Sequence, residues 1–312
     1  MKIGMFIGDA GGARTDIDEL CATAQWCERA GLTTGWVPHI PWSLDALTAL
    51  TLAARVTERI ELGTAVVPTY PRHPLALAQQ ALSTQAASDG RLTLGIGPSH
   101  PVVIEAMHGL SYEKPVRHVR EYLDVLDGAF AAGGSGGGQV DYEGETYRVH
   151  ALLEVPGSSP VPVLLAALAP LMLRLAGSRT TGTITWMADE RALTEHVVPT
   201  ISKAAEEAGR PEPRIVIGLP VAVCDDPEKG REVAARAYAI YEQIPTYKRI
   251  LDRGGARGPA DVCVVGDERA VERRLRAYAD AGATDLAASV FPVGPDKPAS
   301  LVRTRELLAS LA

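Results

Sequence analysis

Residues 60–100 read IELGTAVVPTYPRHPLALAQQALSTQAASDGRLTLGIGPSH, and this stretch decides the fold. A β-branched run from Ile60 to Val67 leads into a Pro/Arg/His loop and then an Ala/Leu/Gln-rich segment. Ser88-Asp89-Gly90 stops that segment, and a second apolar run, Leu92 to Ile96, ends in Gly97. The order predicts strand, loop, helix, tight turn, strand. Pro74 suits a first helical position, where its missing N–H would have no partner anyway. Gly90 suits the left-handed conformation that ends helices. Both strands are apolar on successive residues, as a parallel sheet covered on two faces requires. One βαβ unit follows, and the rest of the chain can be searched for more.

The chain has 312 residues, 46% of them hydrophobic and 5% aromatic, with a formal net charge of −7. A (β/α)₈ barrel takes about 250 residues, so this length leaves room for an insertion. The balance of charge argues against a nucleic-acid surface, which needs clustered Lys and Arg. Cys21, Cys27, Cys224 and Cys263 sit in helical or strand-like patterns without metal-ligand spacing, so neither a metal site nor a disulfide framework is expected. MKIGMFIG at the N-terminus reads as a first strand rather than a signal peptide. No run approaches the roughly 18 apolar residues of a membrane span. A cytoplasmic protein with no membrane partner is expected.

In chain order, Lys2–Ile7 is the first strand, with a helix over 16–30 capped by Thr15. Thr34–Val37 is the second strand, followed by a helix over 45–57 capped by Ser43. The opening stretch supplies strands three and four. A short helix or turn over 105–110 and a helix over 116–132 come next. Gly133–Gly138 reads as a flexible linker. The alternation in QVDYEGETYRVH (139–150) predicts a β-hairpin, taken as an insertion spanning 133–160. Strands five to eight fall at 161–167, 182–186, 214–223 and 285–291, with helices between them and Asp261–Val265 as a short extended piece. Eight strands alternating with helices predict an α/β fold, a single TIM barrel, with a doubly wound sheet as the alternative.

In such a barrel the functional groups stand at the C-terminal ends of the strands. Those positions hold Asp9, His39, Trp42, Tyr70, Pro98-Ser99-His100, Leu168-Ala169 and Trp186. Histidine can give or take a proton near neutrality, which makes His100 and then His39 the candidate catalytic residues. Each could equally be a loop histidine bonded to backbone. His73 before Pro74 is better read as a cap. His108, His118, His150 and His196 read as surface residues. GDAGGA at 8–13 lacks the glycines of a dinucleotide fingerprint, because Ala10 and Ala13 stand where two are required. Small residues at strand ends, among them Gly63, Gly95, Gly97, Ala166 and Ala167, leave room either for a flat ligand or for the taper of a tight barrel.

Taken together, Ile60-Glu-Leu-Gly-Thr-Ala-Val66, Pro71-Arg-His-Pro74 and Gly90-Arg-Leu-Thr-Leu-Gly-Ile-Gly97 resemble the luciferase-like superfamily of flavin- and deazaflavin-dependent oxidoreductases. The resemblance covers nearly the whole chain and is closest to the branch dependent on coenzyme F420. It implies a non-prolyl cis peptide at Ala65-Val66 behind the cofactor ring. It implies ring contacts at His39, Ala65, Val66, Gly97 and Ala167, and a phosphate held near Gly97, Pro98, Ser99, Leu168 and Ala169. The implied reaction is hydride transfer between F420 and a small-molecule substrate, with Asp9, Trp42, Tyr70 and Trp186 in the substrate pocket. FMN-dependent oxygenation and a non-catalytic flavin-binding protein are the alternatives. The chain departs from many F420-using members in having His39-Ile40 after the second strand and His100, not glutamate, after the fourth. A homodimer through the second and third helices is also implied.

Overall fold

A computed structural model describes residues 1–9, 15–134 and 136–312. Its strands are β1 (Lys2–Phe6), β2 (Thr34–Val37), β3 (Glu61–Thr64), β4 (Val67–Pro68), β5 (Leu92–Gly97), β6 (Gly138–Glu143), β7 (Arg148–Leu153), β8 (Val163–Ala166), β9 (Gly182–Trp186), β10 (Arg214–Val223), β11 (Val264–Gly266) and β12 (Asp285–Val290). All pairings of the large sheet are parallel, and β10 joins both β9 and β12, so the sheet closes. Around the barrel the order is β1, β2, β3, β5, β8, β9, β10, β12. This is the expected TIM barrel of eight parallel strands. β4 continues β3 along β5, with Leu62 opposite Leu92 and Val67 opposite Ile96. The break between them is Ala65-Val66, whose peptide bond is cis. β6 and β7 form the expected hairpin as a separate antiparallel pair. The loop at 8–12 and the linker at 133–138 both run into residues outside those described.

Several local expectations need correction. Asp16, not Thr15, caps the first helix by accepting the Glu19 N–H, and Asp45, not Ser43, caps the second by accepting that of Thr48. A carboxylate at the cap also favours the positive end of the helix dipole, which a hydroxyl cannot match. The helix expected at 105–110 starts earlier, at Pro101, which makes His100 its cap residue. Asp261–Val265 is not one extended piece: Pro259–Val262 is a helical turn, and only Val264–Gly266 pairs with β10. Proline at the head of that turn favours the helical start that the apolar run concealed.

The barrel interior is filled in layers. At the N-terminal end of the strands, the Arg214 guanidinium bonds Glu61 Oε1 and Asp285 Oδ1, both at 2.6 Å. It also lies 5.8 Å from the centre of the Trp36 ring. Trp36, fully buried with Leu164, Ile184, Val216 and Ala287, fills the middle. Gly63 is required there, since a Cβ on it would stand 2.2 Å from the indole. Phe6, Ala65, Val66 and Ala166 pack against this cluster but remain half-buried, toward the C-terminal ends of their strands. Closure at one end and open small side chains at the other direct any ligand to the C-terminal mouth.

Candidate active site

Ala65, Val66 and Ala166 make an apolar floor at the mouth, and Gly97 lies against it. A Cβ on Gly97 would come within 2.9 Å of Ala166 Cβ and 3.2 Å of a Val66 methyl. At Gly95 the crowding atom is the Thr64 carbonyl oxygen, 2.1 Å from an added Cβ. The small residues of β3 and β5 therefore accommodate this chain's own backbone and side chains, which is the taper reading. Ala167 is buried, while Pro98 and Leu168 are half-buried.

Two helices begin at this floor without a side-chain cap. One runs Pro101–His108 after β5, and the other Pro170–Arg179 after β8 with Ala169 as its cap residue. Uncapped N–H groups and the helix dipole together favour an anion. Ser99 beside the first has φ +61°, a left-handed conformation rare for a residue with a Cβ, and its carbonyl accepts the Tyr112 hydroxyl at 3.2 Å. Met187, directly after β9, has φ +60°. The His196 Nε2–H donates to the Leu168 carbonyl at 2.8 Å and holds the second turn from behind.

The two candidate histidines differ in what they touch. His39 Nδ1 accepts the Ala46 N–H at 3.3 Å and stands 3.8 Å from Asp45 Oδ2. A neutral His39 therefore carries its proton on Nε2. Burial, with the nearby Arg72, lowers its pKa. Nδ1 of His100 is buried and has no hydrogen-bond partner among the described residues. Burial lowers the pKa of His100 also, so both rings favour the neutral form. The His100 ring lies 5.0 Å from that of Tyr247.

The three aromatic candidates stand in different surroundings. Trp42 is exposed and shares an open cleft of about 530 Å³ with Asp9, whose carboxylate accepts the Thr15 N–H. Tyr70 borders a second cleft, about 360 Å³, between Lys114, Arg117 and Tyr147. Its hydroxyl donates to the Glu113 carbonyl at 3.0 Å. Trp186 stands at the end of β9, edge-on to Phe6 with centroids 6.0 Å apart, and its Nε1 is buried without a partner among the described residues.

Two histidines expected at the surface are buried. His118 stacks on Tyr70 at 3.8 Å and bonds the Thr69 hydroxyl through Nε2 at 2.9 Å. Its burial brings its pKa down to about 4. His196 is the ring behind Leu168 just described. For His118 helical spacing held a signal, since it shares the buried stripe of its helix with Tyr122, Val125 and Ala129. The partners of both rings, Thr69 and Leu168, are shown only by the tertiary structure. The expected cap at His73 forms, with Nδ1 accepting the Leu75 N–H at 3.2 Å. Sequence reasoning missed Tyr238 and Tyr241, which lie against Trp186, and Tyr247, which meets Tyr241 and His100. The available signal was compositional, since three of the chain's nine tyrosines fall between 238 and 247.

Among the described residues no helix is long and apolar enough to cross a membrane, and no group of three or more His, Cys, Asp or Glu could hold a metal ion. Residues 1–296 match the family model described as luciferase-like monooxygenase. An uncharacterised protein of Mycobacterium tuberculosis is 30% identical over 239 residues, 73% of this chain and 69% of that one. A second protein of that organism, provisionally named a coenzyme F420-dependent oxidoreductase, is 33% identical over 186 residues, 56% of this chain and 52% of its own. Among solved structures, the coenzyme F420-dependent tetrahydromethanopterin reductase of Methanopyrus kandleri superposes with TM-score 0.79 at 23% identity, covering 99% of this chain and 96% of that one. The oxygenating constituent of 3,6-diketocamphane monooxygenase from Pseudomonas putida, in complex with FMN, gives 0.77 at 18% identity over 99% and 96%.

Proposed function

The chain belongs to the luciferase-like monooxygenase family, and from that premise we propose that it transfers a hydride between coenzyme F420 and a small organic substrate. One observation carries the reading: the unpaired, buried Nδ1 of His100 stands at the head of an uncapped helix beside a flat apolar floor. A buried polar atom without a partner is costly unless a ligand supplies one. Floor and uncapped helices fit a planar ring bearing a phosphate. The names of the mycobacterial relative and of the methanogen reductase favour the deazaflavin over other such groups.

When bound, the deazaflavin would supply a carbon centre that takes or gives a hydride, and the protein supplies position, electrostatics and a proton. Ala65, Val66 and Ala166 would support the ring and exclude water there. Backbone N–H groups of Ser99 and of the Leu168-Ala169 turn would hold the phosphate, Pro98 having none to give. His39, with its proton on Nε2, would be a donor for a polar atom of the ring. His100, kept neutral by burial, would accept the proton that leaves a substrate hydroxyl as the hydride departs, and the imidazolium so formed would return it to the substrate oxygen in the reverse direction.

Titration of the purified protein with F420 and with FMN tests the cofactor, and an F420 dissociation constant at least about tenfold lower is expected. Tighter FMN binding with oxygen consumption on reduction would establish the oxygenase instead, which the FMN-bound structural relative favours. His100→Gln is expected to lower turnover about 10²–10⁴-fold while leaving F420 affinity within about twofold. Unchanged turnover and pH profile would remove His100 from the mechanism.

A further inference from the structure

A row of rings crosses the barrel mouth. Phe6 at the end of β1 meets Trp186 at the end of β9, and Trp186 meets Tyr241 at 5.8 Å. Tyr241 meets Tyr247 edge-on at 4.9 Å, and Tyr247 meets His100, after β5, at 5.0 Å. β1, β5 and β9 are not neighbours in the barrel, so the row spans the opening rather than following its rim. Tyr241 and Tyr247 belong to the segment after β10, the turn Ala239–Gln243 and the helix Pro245–Gly254. That segment is docked on the loop after β9: a Cβ on Gly254 would lie 2.0 Å from Asp189 Oδ2, and Asp189 itself accepts the Ala192 N–H at 2.7 Å.

The surroundings of the row carry little free charge. Burial raises the pKa of both tyrosines, keeping the hydroxyls protonated, and the two histidines favour the neutral form. Arg72 is held by Asp45 at 2.8 Å and Gln80 at 2.7 Å. On the segment itself Lys248 pairs with Asp252, and the exposed Arg249 and Arg253 stand about 200° and about 240° round the helix from Tyr247, Arg253 toward His196. Exposed apolar side chains follow four strands: Trp42 on the loop after β2, Val102 and Leu171 in the first turns of the helices after β5 and β8, and Ile240 in the turn Ala239–Gln243.

We propose that Tyr241 and Tyr247 roof the substrate site, and that the substrate they select is an uncharged, flat, largely apolar molecule held between this roof and the floor at Ala65, Val66 and Ala166. The proposal rests on the hydride-transfer reading only in taking the mouth as the place where substrate binds. The uncapped helix starts favour an anion at the turns after β5 and β8, whereas beneath the rings a flat neutral molecule gains contacts on its upper face and excludes water from both faces.

Calorimetric titration with 2-acetonaphthone, a flat neutral ketone, and 2-naphthoate, the same ring carrying a carboxylate, tests this on the full chain with and without F420. The ketone is expected to saturate and the carboxylate to bind at least about tenfold more weakly. Tyr247→Ala should weaken the ketone about tenfold, and Tyr247→Phe, which keeps the ring, by no more than about twofold. Tyr247→Leu gives the same reading if the alanine variant does not fold. Equal or tighter binding of the carboxylate, no saturation by the ketone, or no effect of losing the Tyr247 ring would overturn the proposal. A protein that binds the ketone selectively but binds no F420 would refute the hydride-transfer reading while upholding this one.

Discussion

The two ends of the barrel spend their polar groups in opposite ways. At the N-terminal end the buried charges are paired: Arg214 bridges Glu61 and Asp285, and the Thr34 and Thr93 hydroxyls donate to Glu61. Trp36 seals the layer above, its Nε1 without a partner among the described residues. At the C-terminal end His100 Nδ1 and Trp186 Nε1 are buried without partners among the described residues, two helices start uncapped, and Ser99 and Met187 hold left-handed backbone. The first arrangement lowers the energy of the folded chain by itself. The second leaves polar atoms and strained backbone of the kind that functional sites keep at a cost in stability.

The largest expected effect lies at the closed end. Arg214→Met would leave the Glu61 and Asp285 carboxylates facing each other without a cation and should cost about 3–5 kcal/mol, read as a lower urea midpoint with unchanged slope. Replacing Glu61 and Asp285 by leucine in the same chain should recover most of that loss, because an apolar trio of similar volume leaves no charge uncompensated. If Arg214→Met were neutral, the closed end would not be the structural one.

Next in size is a pH effect near the open end. The pKa of His118 lies at about 4 in the folded chain, against about 6.5 unfolded. Between those values the unfolded chain binds the extra proton, so stability rises with pH across the window and is lost as pH falls through it. The loss by pH 4 amounts to roughly 3 kcal/mol. His118→Phe should flatten the stability profile between pH 4 and 6.5, whereas Arg214→Met should lower the profile most at the high-pH end, because the Glu61 and Asp285 carboxylates left without their cation take up protons in the folded chain as pH falls. Thermal unfolding of the three proteins across this range makes the comparison.

The frame of the molecule was legible because it depends on local chemistry. The apolar run at 214–223, the proline-headed helix at 74 and the glycine stop at 90 each announce themselves within a few residues. The strand-end positions followed from the frame, and the cis bond at Ala65-Val66 followed from resemblance. What periodicity could not show was which loops return over the mouth. His118 shares an apolar stripe with Tyr122, Val125 and Ala129, so its burial was legible. The partners of His118 and His196 appear only when the Thr69 and Leu168 loops fold onto them. Tyr241 and Tyr247 become visible as site residues only once Gly254 has docked their segment against Asp189. Long-range closure of that kind leaves compositional traces, such as the tyrosine cluster, but no repeat.

The smallest effect is also the most discriminating, because its sign differs between the two ends. Ser99 sits at φ +61°, a conformation that costs a residue with a Cβ roughly 1–2 kcal/mol and glycine almost nothing. Glycine also gives the unfolded chain more freedom, worth about 0.4–1 kcal/mol against it. Ser99→Gly should therefore stabilise the protein slightly, by about 0.5–1 kcal/mol, a sign no substitution in the Arg214 layer is expected to give. If the turn is held in this conformation for a phosphate, the same variant should bind F420 several-fold more weakly, since a turn free to leave its geometry must be reordered on binding. Ser99→Ala separates the causes, because it keeps the backbone cost while removing the hydroxyl. Equal loss of F420 affinity in both variants would assign the contact to the hydroxyl, and loss in the glycine variant alone would assign it to the fixed backbone.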